Sequence, residues 1–206
     1  MRVFGAERCG ILLIDPATGR MDCPLAVGVS ARYVGAVTEL FSTLPAAPRL
    51  LAGEAIFLED APNLPGSPLG PVAAAEGFAS IAALPLVYTG DPIGVLAFMH
   101  DRPHRWGEAE RRIAGAFADQ AALAIGRSRI LDRVTQAKSE WQAVFDAAPS
   151  GLAVLDRDGR IQRANRWIAD LAGLPPAALP GRTLTAAVGE WPTGDADPLA
   201  RARSSG

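Results

Sequence analysis

SIAALPLVYTGDPIGVLAFM, residues 80–99, holds two apolar runs separated by the polar break Thr89-Gly90-Asp91-Pro92. The first run reaches back to Phe78, and the second ends at Met99. A Gly-Asp step between two extended apolar runs is hairpin chemistry, because glycine takes the positive φ of a tight turn at no steric cost. The pair predicts two long strands of one antiparallel sheet. Neither run approaches the ~20 apolar residues that a bilayer-spanning helix needs.

Toward the N-terminus, Ile11-Leu12-Leu13-Ile14 is closed by Asp15-Pro16-Ala17-Thr18-Gly19, and residues 21–29 resume an extended pattern. This predicts an earlier hairpin. Ser30 suits a helix N-cap, and Tyr33, Val34, Val37, Leu40, Phe41 and Leu44 recur at helical spacing until Pro45. A helix of about four turns is expected there. Ala55-Ile56-Phe57-Leu58 reads as a strand. Pro62, Pro65, Gly66, Pro68, Gly70 and Pro71 then impose an irregular loop that runs into an Ala-rich segment at 72–76.

Toward the C-terminus, a helical pattern runs from Gly107 to Ala148 with almost no breaker, far beyond the usual length of a globular helix. Ala116, Leu123, Ile130, Ala137 and Val144 repeat every seventh position. Ile113, Gln120, Arg127, Val134 and Trp141 take the companion positions. A seven-residue apolar repeat is what two parallel helices need for a continuous seam, and Gln120 and Arg127 loosen it in the middle. The segment 113–125 has a sheet to pack on. Beyond Arg129, a second copy of the helix is the simplest partner, so Leu123, Ile130, Val134, Trp141 and Val144 are the candidate dimer and signalling residues. Pro149-Ser150-Gly151 ends the pattern. A short strand, the turn Asp156-Arg157-Asp158-Gly159, a second strand and a helix through Trp167, Ile168 and Leu171 follow.

Composition narrows the function. With 49% hydrophobic and 20% charged residues and a net charge of -2, the chain can bury a sizeable core and carries no field that attracts phosphate backbones or anionic lipid. Nucleic acid and membrane partners are not expected. No apolar run of signal-peptide length precedes Glu7 and Arg8, which points to the cytoplasm. If Asp15 faces Arg20, Cys9 pairs with Ala26 and Cys23 with Leu12, which sets the thiols about 10 Å apart. A disulfide requires Cα atoms within about 7 Å, so both cysteines are expected to be reduced and buried.

His100 and His104 frame Asp101-Arg102-Pro103, and Pro103 prevents one helix from presenting both imidazoles. They read as part of a solvated loop, and no metal site is expected. No phosphate-binding glycine loop, nucleophile elbow or other catalytic constellation is present. The turn residues Asp156 and Asp158 read as hairpin chemistry.

Two resemblances cover most of the chain. GILLIDPATGRM (10–21), the hairpin at 80–99 and RWGEAERRIAGAFADQAALAIGRSRIL (105–131) resemble the opening hairpin, late hairpin and closing helix of a GAF domain. The helix that usually precedes the opening strand in that family is missing or short. WQAVFDAAPSGLAVLDRDGRIQRANRWIADLAGL (141–174) resembles the entry helix, first hairpin and next helix of a PAS domain, with Asn165 at a common Asn position. Pro180-Gly181-Arg182-Thr183-Leu184 resembles the turn before the PAS helix that faces the ligand pocket. Residues 190–206 show no counterpart of that family's last three strands, so the PAS part reads as partial. Neither cysteine precedes a histidine, as bilin-attaching GAF domains require, and the cyclic-nucleotide signature of other GAF domains is absent around Phe57-Leu58-Glu59-Asp60.

The resemblances imply an α+β chain: a GAF domain at 1–130, a signalling helix at 131–148 and a partial PAS domain at 149–206. They imply a homodimeric sensory input module that binds a small ligand or senses a stimulus. It would relay to an output domain outside these residues, such as a histidine kinase, a diguanylate cyclase or a phosphatase. No catalysis is expected in the chain itself, and the sequence names no cofactor or ligand. Two other readings stand beside this one: a GAF-fold redox enzyme such as a methionine sulfoxide reductase using Cys9 and Cys23, and a structural dimerisation unit with an empty pocket.

Overall fold

Apolar alternation in the central hairpin builds both faces of one sheet. In the computed structural model, which describes residues 5–189, five strands pair antiparallel: β1 (Arg8–Ile14), β2 (Met21–Val27), β3 (Ile56–Leu58), β4 (Ser80–Tyr88) and β5 (Asp91–His100). Their order is β2-β1-β5-β4-β3. Ile81, Val95, Ala97 and Met99 face one side, while Ala82, Leu84, Leu86, Leu96 and Phe98 face the other, as a period of two requires. The sequence readings that fall on residues 1–4 and 190–206, including the reduced first helix and the missing last strands, lie outside the described residues.

Local chemistry sets the register. Thr89 and Gly90 have φ of 51° and 93°, the two positive values of the turn type that matches strand twist. Gly94 pairs with Leu13 of β1, and a Cβ there would collide with the Leu12 carbonyl, so the β1–β5 contact depends on a bare backbone. Pro85 sits in β4 beyond the end of β3, which pairs only with Ile81, Ala82 and Ala83. Its missing N–H therefore breaks no ladder bond.

The opening hairpin departs from the expected pairing. Asp15 does face Arg20, its N–H donating to the Arg20 carbonyl at 2.8 Å. A bulge at Cys23-Pro24 then shifts the ladder by one residue, so Cys9 pairs with Val27 and not with Ala26. Proline cannot donate to the ladder, and a bulge on an edge strand accommodates it.

Helix α1 (Ala31–Leu40) starts at Ser30, whose Oγ accepts from the Tyr33 N–H at 3.1 Å. It is shorter than four turns: a 3₁₀ turn at Phe41–Thr43 follows, and Leu44 is extended ahead of Pro45, as pre-proline sterics favour. A helix that periodicity could not reveal, α2 (Ala47–Leu51), has only five residues. Helix α3 (Leu69–Glu76) closes on Gly77 at φ 85°. These helices cover the sheet face that carries Ile81 and Met99. Arg8 ties the surrounding loops together, donating from Nε to Asp101 at 2.6 Å and from Nη1 to the Gly28 and Glu76 carbonyls at 3.1 and 3.0 Å.

Helix α4 (Glu108–Ala147) has 40 residues. Ala114, Ala118 and Ala122 press on the sheet face that carries Leu84 and Phe98, with Trp106 beside them. Small side chains four apart let the helix approach the strands closely.

The chain divides into two compact units between Ile130 and Leu131. In the second, β6 (Ala153–Leu155) and β7 (Ile161–Ala164) form a hairpin, followed by α5 (Arg166–Ala172) and α6 (Leu184–Val188). Asp156 Oδ1 accepts from the N–H groups of Asp158 and Arg160 at 3.0 and 2.8 Å, which fixes the turn. Ile161, Ile168, Leu179 and Leu184 form the core. Asn165 is fully buried, and its amide uses its whole bonding capacity. Oδ1 accepts from the Leu152 and Ile168 N–H groups, and Nδ2 donates to the Phe145 and Ser150 carbonyls.

Candidate ligand groove and signalling helix

The early end of α1 opens a groove. Ile14 from the end of β1, Arg20 and Met21 from the start of β2, Thr38 and Glu39 from the last turn of α1, Phe41 and Ser42 from the 3₁₀ turn, and Ala47, Pro48 and Leu51 of α2 enclose about 690 Å³. That volume suits a small organic ligand. Its walls are chiefly apolar, and Arg20, Glu39, Thr38 and Ser42 are the polar residues among those that line it. The turn that carries Arg20 is braced by Asp15, whose carboxylate accepts from the Ala17 N–H at 2.8 Å. That bond holds the Asp15 carboxyl below its ordinary range.

The groove reaches α4 through one wall. Arg129 Nη2 donates to the Ile14 carbonyl at 2.8 Å, across 115 residues of sequence. One turn earlier on the same helix, Gly126 lies under the Tyr88 ring at the tip of the β4–β5 hairpin. The β1–β2 hairpin, which lines the groove, and the β4–β5 hairpin thus both touch α4 between 126 and 129. The sequence contained no signal for these contacts, because neither Arg129 nor Gly126 belongs to a periodic pattern.

All five residues assigned to the helical seam, Leu123, Ile130, Val134, Trp141 and Val144, are exposed, Val134 at 61% and Val144 at 74%. Ile113, which had a sheet to pack on, is 49% exposed, since alanines take the sheet contact. Trp141 is engaged within the second unit. Its ring stacks on Phe145 at 4.6 Å between centroids, and the Arg163 guanidinium lies 4.3 Å over it.

Both cysteines are free and only partly buried. Cys9 packs with the α4-facing cluster, whereas Cys23 follows Asp22, the partner of α4-facing Leu13, and so turns to the other face with Met21. Burial pushes the Cys23 thiol pKa up, which lowers its thiolate fraction.

The histidines do not form a solvated loop. His100 is the last residue of β5, and the alternation that turns Leu96 and Phe98 toward α4 turns it the same way, leaving it 7% exposed. His104 stacks on it with centroids 4.1 Å apart. Extending the period-two pattern by one step would have found the buried ring. Among the described residues, no group of three or more metal-ligating side chains converges, and no helix is long and apolar enough to cross a membrane.

Comparison with known proteins agrees with this architecture. The GAF domain family model matches residues 1–126, and the PAS fold model matches residues 145–204. A domain described as part of a two-component sensor histidine kinase from Sinorhizobium meliloti 1021 is 32% identical, with a TM-score of 0.54 over 64% of this chain and 85% of that one. The GAF domain of a phosphoenolpyruvate-protein phosphotransferase from Coxiella burnetii is 22% identical, with a TM-score of 0.55 over 63% and 77%. A GAF domain/HD domain protein from Geobacter sulfurreducens is 17% identical, with a TM-score of 0.52 over 63% and 87%. None of the curated proteins compared with the chain matches it. The five-stranded sheet with its closing helix and the match over residues 1–126 place the chain in the GAF domain family, with a PAS-fold segment following it.

Proposed function

We propose that this sensory signalling module binds a small, largely apolar molecule with a polar end in the groove beside α2 and relays occupancy along α4. The output domain would lie in a longer protein, and the histidine-kinase setting of the Sinorhizobium meliloti relative makes a kinase the first candidate. The observation that carries the reading is the Arg129–Ile14 hydrogen bond. A ligand seated against Ile14 changes the acceptor that Arg129 holds, and an effector shifts an equilibrium only through such state-dependent contacts. The exposed Ile130, Val134 and Val144 support pairing of two copies along the helix beyond that point. Catalysis is not part of the proposal: two thiols on opposite sheet faces, one with a raised pKa, do not suit a redox pair.

The test is a thermal-shift screen of a metabolite library against the full chain and against Ser42→Trp, which places an indole in the groove. A compound that stabilises the first unit of the unmodified chain, fails to stabilise the variant and alters hydrogen exchange at 126–134 supports the proposal. Compounds that stabilise both proteins equally, or a library that stabilises neither, overturn it.

A further inference from the structure

Four aromatic rings meet where β5 gives way to α4. His100 and His104 stack at 4.1 Å with 28° between planes, and Trp106 touches both, with centroids 5.1 and 4.8 Å away. Phe57 of β3 closes the cluster against Trp106 at 5.8 Å. Trp106 is 3% exposed and lies two residues before α4 begins, so the cluster fixes the start of the helix to the sheet.

The polar groups around the rings are distributed unevenly. His104 Nε2 lies 3.1 Å from a Glu110 oxygen, and the same carboxylate caps the helix by accepting from the Gly107 N–H at 2.9 Å. His100 Nδ1 lies 3.3 Å from Glu7. His100 Nε2 and Trp106 Nε1 are buried and have no hydrogen-bond partner among the described residues. The other charged groups nearby are already engaged. Asp101 is paired with Arg8 at 2.6 Å, and its N–H points to Glu7. Arg111 donates to the Trp106 carbonyl at 3.0 Å, and Arg105 lies 3.8 Å from Glu59. From β4 the facing residue is Ser80, which does not titrate and donates to the Arg102 carbonyl at 3.2 Å.

We propose that the His100–His104–Trp106 cluster is a proton-operated latch on α4: neutral His100 holds the first turn of the helix to the sheet, and charging His100 releases it. A second proton on His100 has only Nε2 to occupy, where it finds no acceptor, and it places positive charge face to face with His104. Both effects favour separation of the rings. Burial first and then the neighbouring His104 hold the His100 pKa below the ordinary 6.5. A folded-state value below the unfolded one means that the unfolded or opened form takes the proton more readily. The closed latch is therefore fully favoured above the unfolded value and weakens as pH falls below it. Release frees Trp106 and the Glu110 cap together, because both sit on the segment that His104 anchors. The device is distinct from the ligand groove and gives the same helix a second input.

The chain has two histidines, so each ring can be followed separately by long-range proton–nitrogen NMR on the full-length protein. His100 is expected to titrate below free histidine. Amide exchange at 107–112, corrected for intrinsic chemistry, should rise at least ~10-fold between about pH 7.5 and about pH 5. His100→Phe keeps an aromatic ring in the stack and should abolish the rise. A His100 titration at or above the free value, or an exchange response that is the same in His100→Phe as in the unmodified chain, overturns the latch. The NMR titration needs no variant, so it decides the question even where His100→Phe fails to fold.

Discussion

Two glycines of α4 separate helix propensity from packing. Replacing glycine by alanine inside a helix gains about 1 kcal/mol of backbone propensity. At Gly115 nothing lies within 4 Å of the added methyl group, so that gain stands alone. At Gly126 the methyl would lie within 2.6 Å of Tyr88 Cδ1 and closer still to Cγ and Cδ2. These are atoms at the base of the ring, next to its own Cβ, so the side chain cannot flex aside without changing rotamer and leaving the helix. Overpacking of this kind costs about 1–3 kcal/mol, which outweighs the propensity gain. Gly115→Ala should stabilise the first unit by about 1 kcal/mol, and Gly126→Ala should fall about 1–3 kcal/mol below it. Native-state hydrogen exchange in urea, read on peptides covering 80–100, isolates this unit from the second one. In a Tyr88→Ala background the clash disappears, and Gly126→Ala should then gain about 1 kcal/mol as Gly115→Ala does. If Gly126→Ala stabilises the otherwise unmodified chain as much as Gly115→Ala, the docking of the hairpin tip on α4 is refuted.

Asn165→Ala strands two carbonyls and two N–H groups that the buried amide now serves. It should destabilise the second unit by about 2–4 kcal/mol, seen as loss of exchange protection at 161–172 with 80–100 unchanged. Replacing both Ile130 and Val134 by Asp should convert a concentration-dependent dimer into a folded monomer in sedimentation velocity, since each apolar side chain buried in a seam contributes roughly 1.5–3 kcal/mol. An unmodified chain that stays monomeric at high micromolar concentration would refute the seam.

Legibility followed how local the determining chemistry was. Both sheet hairpins, the Ser30 cap, the long helix and the Asp-Gly turn were readable because each is decided by residues within a few positions of one another. The Cys9 register was not, since one proline on an edge strand moved the ladder at a place where either strand could have absorbed the extra residue. Helix α2 is too short to show a period. The groove escaped for a related reason. It is a gap left where α1 stops early, and a gap has no residue signature. The buried His100 was within reach of the sequence, but the polar loop after it outweighed the alternation before it.

The two inputs proposed for α4 act at opposite ends of its sheet contact. Ala114, Ala118 and Ala122 bind the helix to the strands through small apolar side chains, which make no directional bond. Position is instead set by directional contacts: the His104–Glu110 and Trp106 cluster before the alanines, and Tyr88 on Gly126 with Arg129 on Ile14 after them. Under the two proposals, loss of the contacts at either end removes one of the two directional restraints on the helix, while the buried alanine stripe still holds it to the sheet. The residues beyond Arg129 would then present a different face to a partner helix. If both proposals hold, a ligand and a proton act on opposite ends of one helix, and a variant that locks one end should blunt the response to the other.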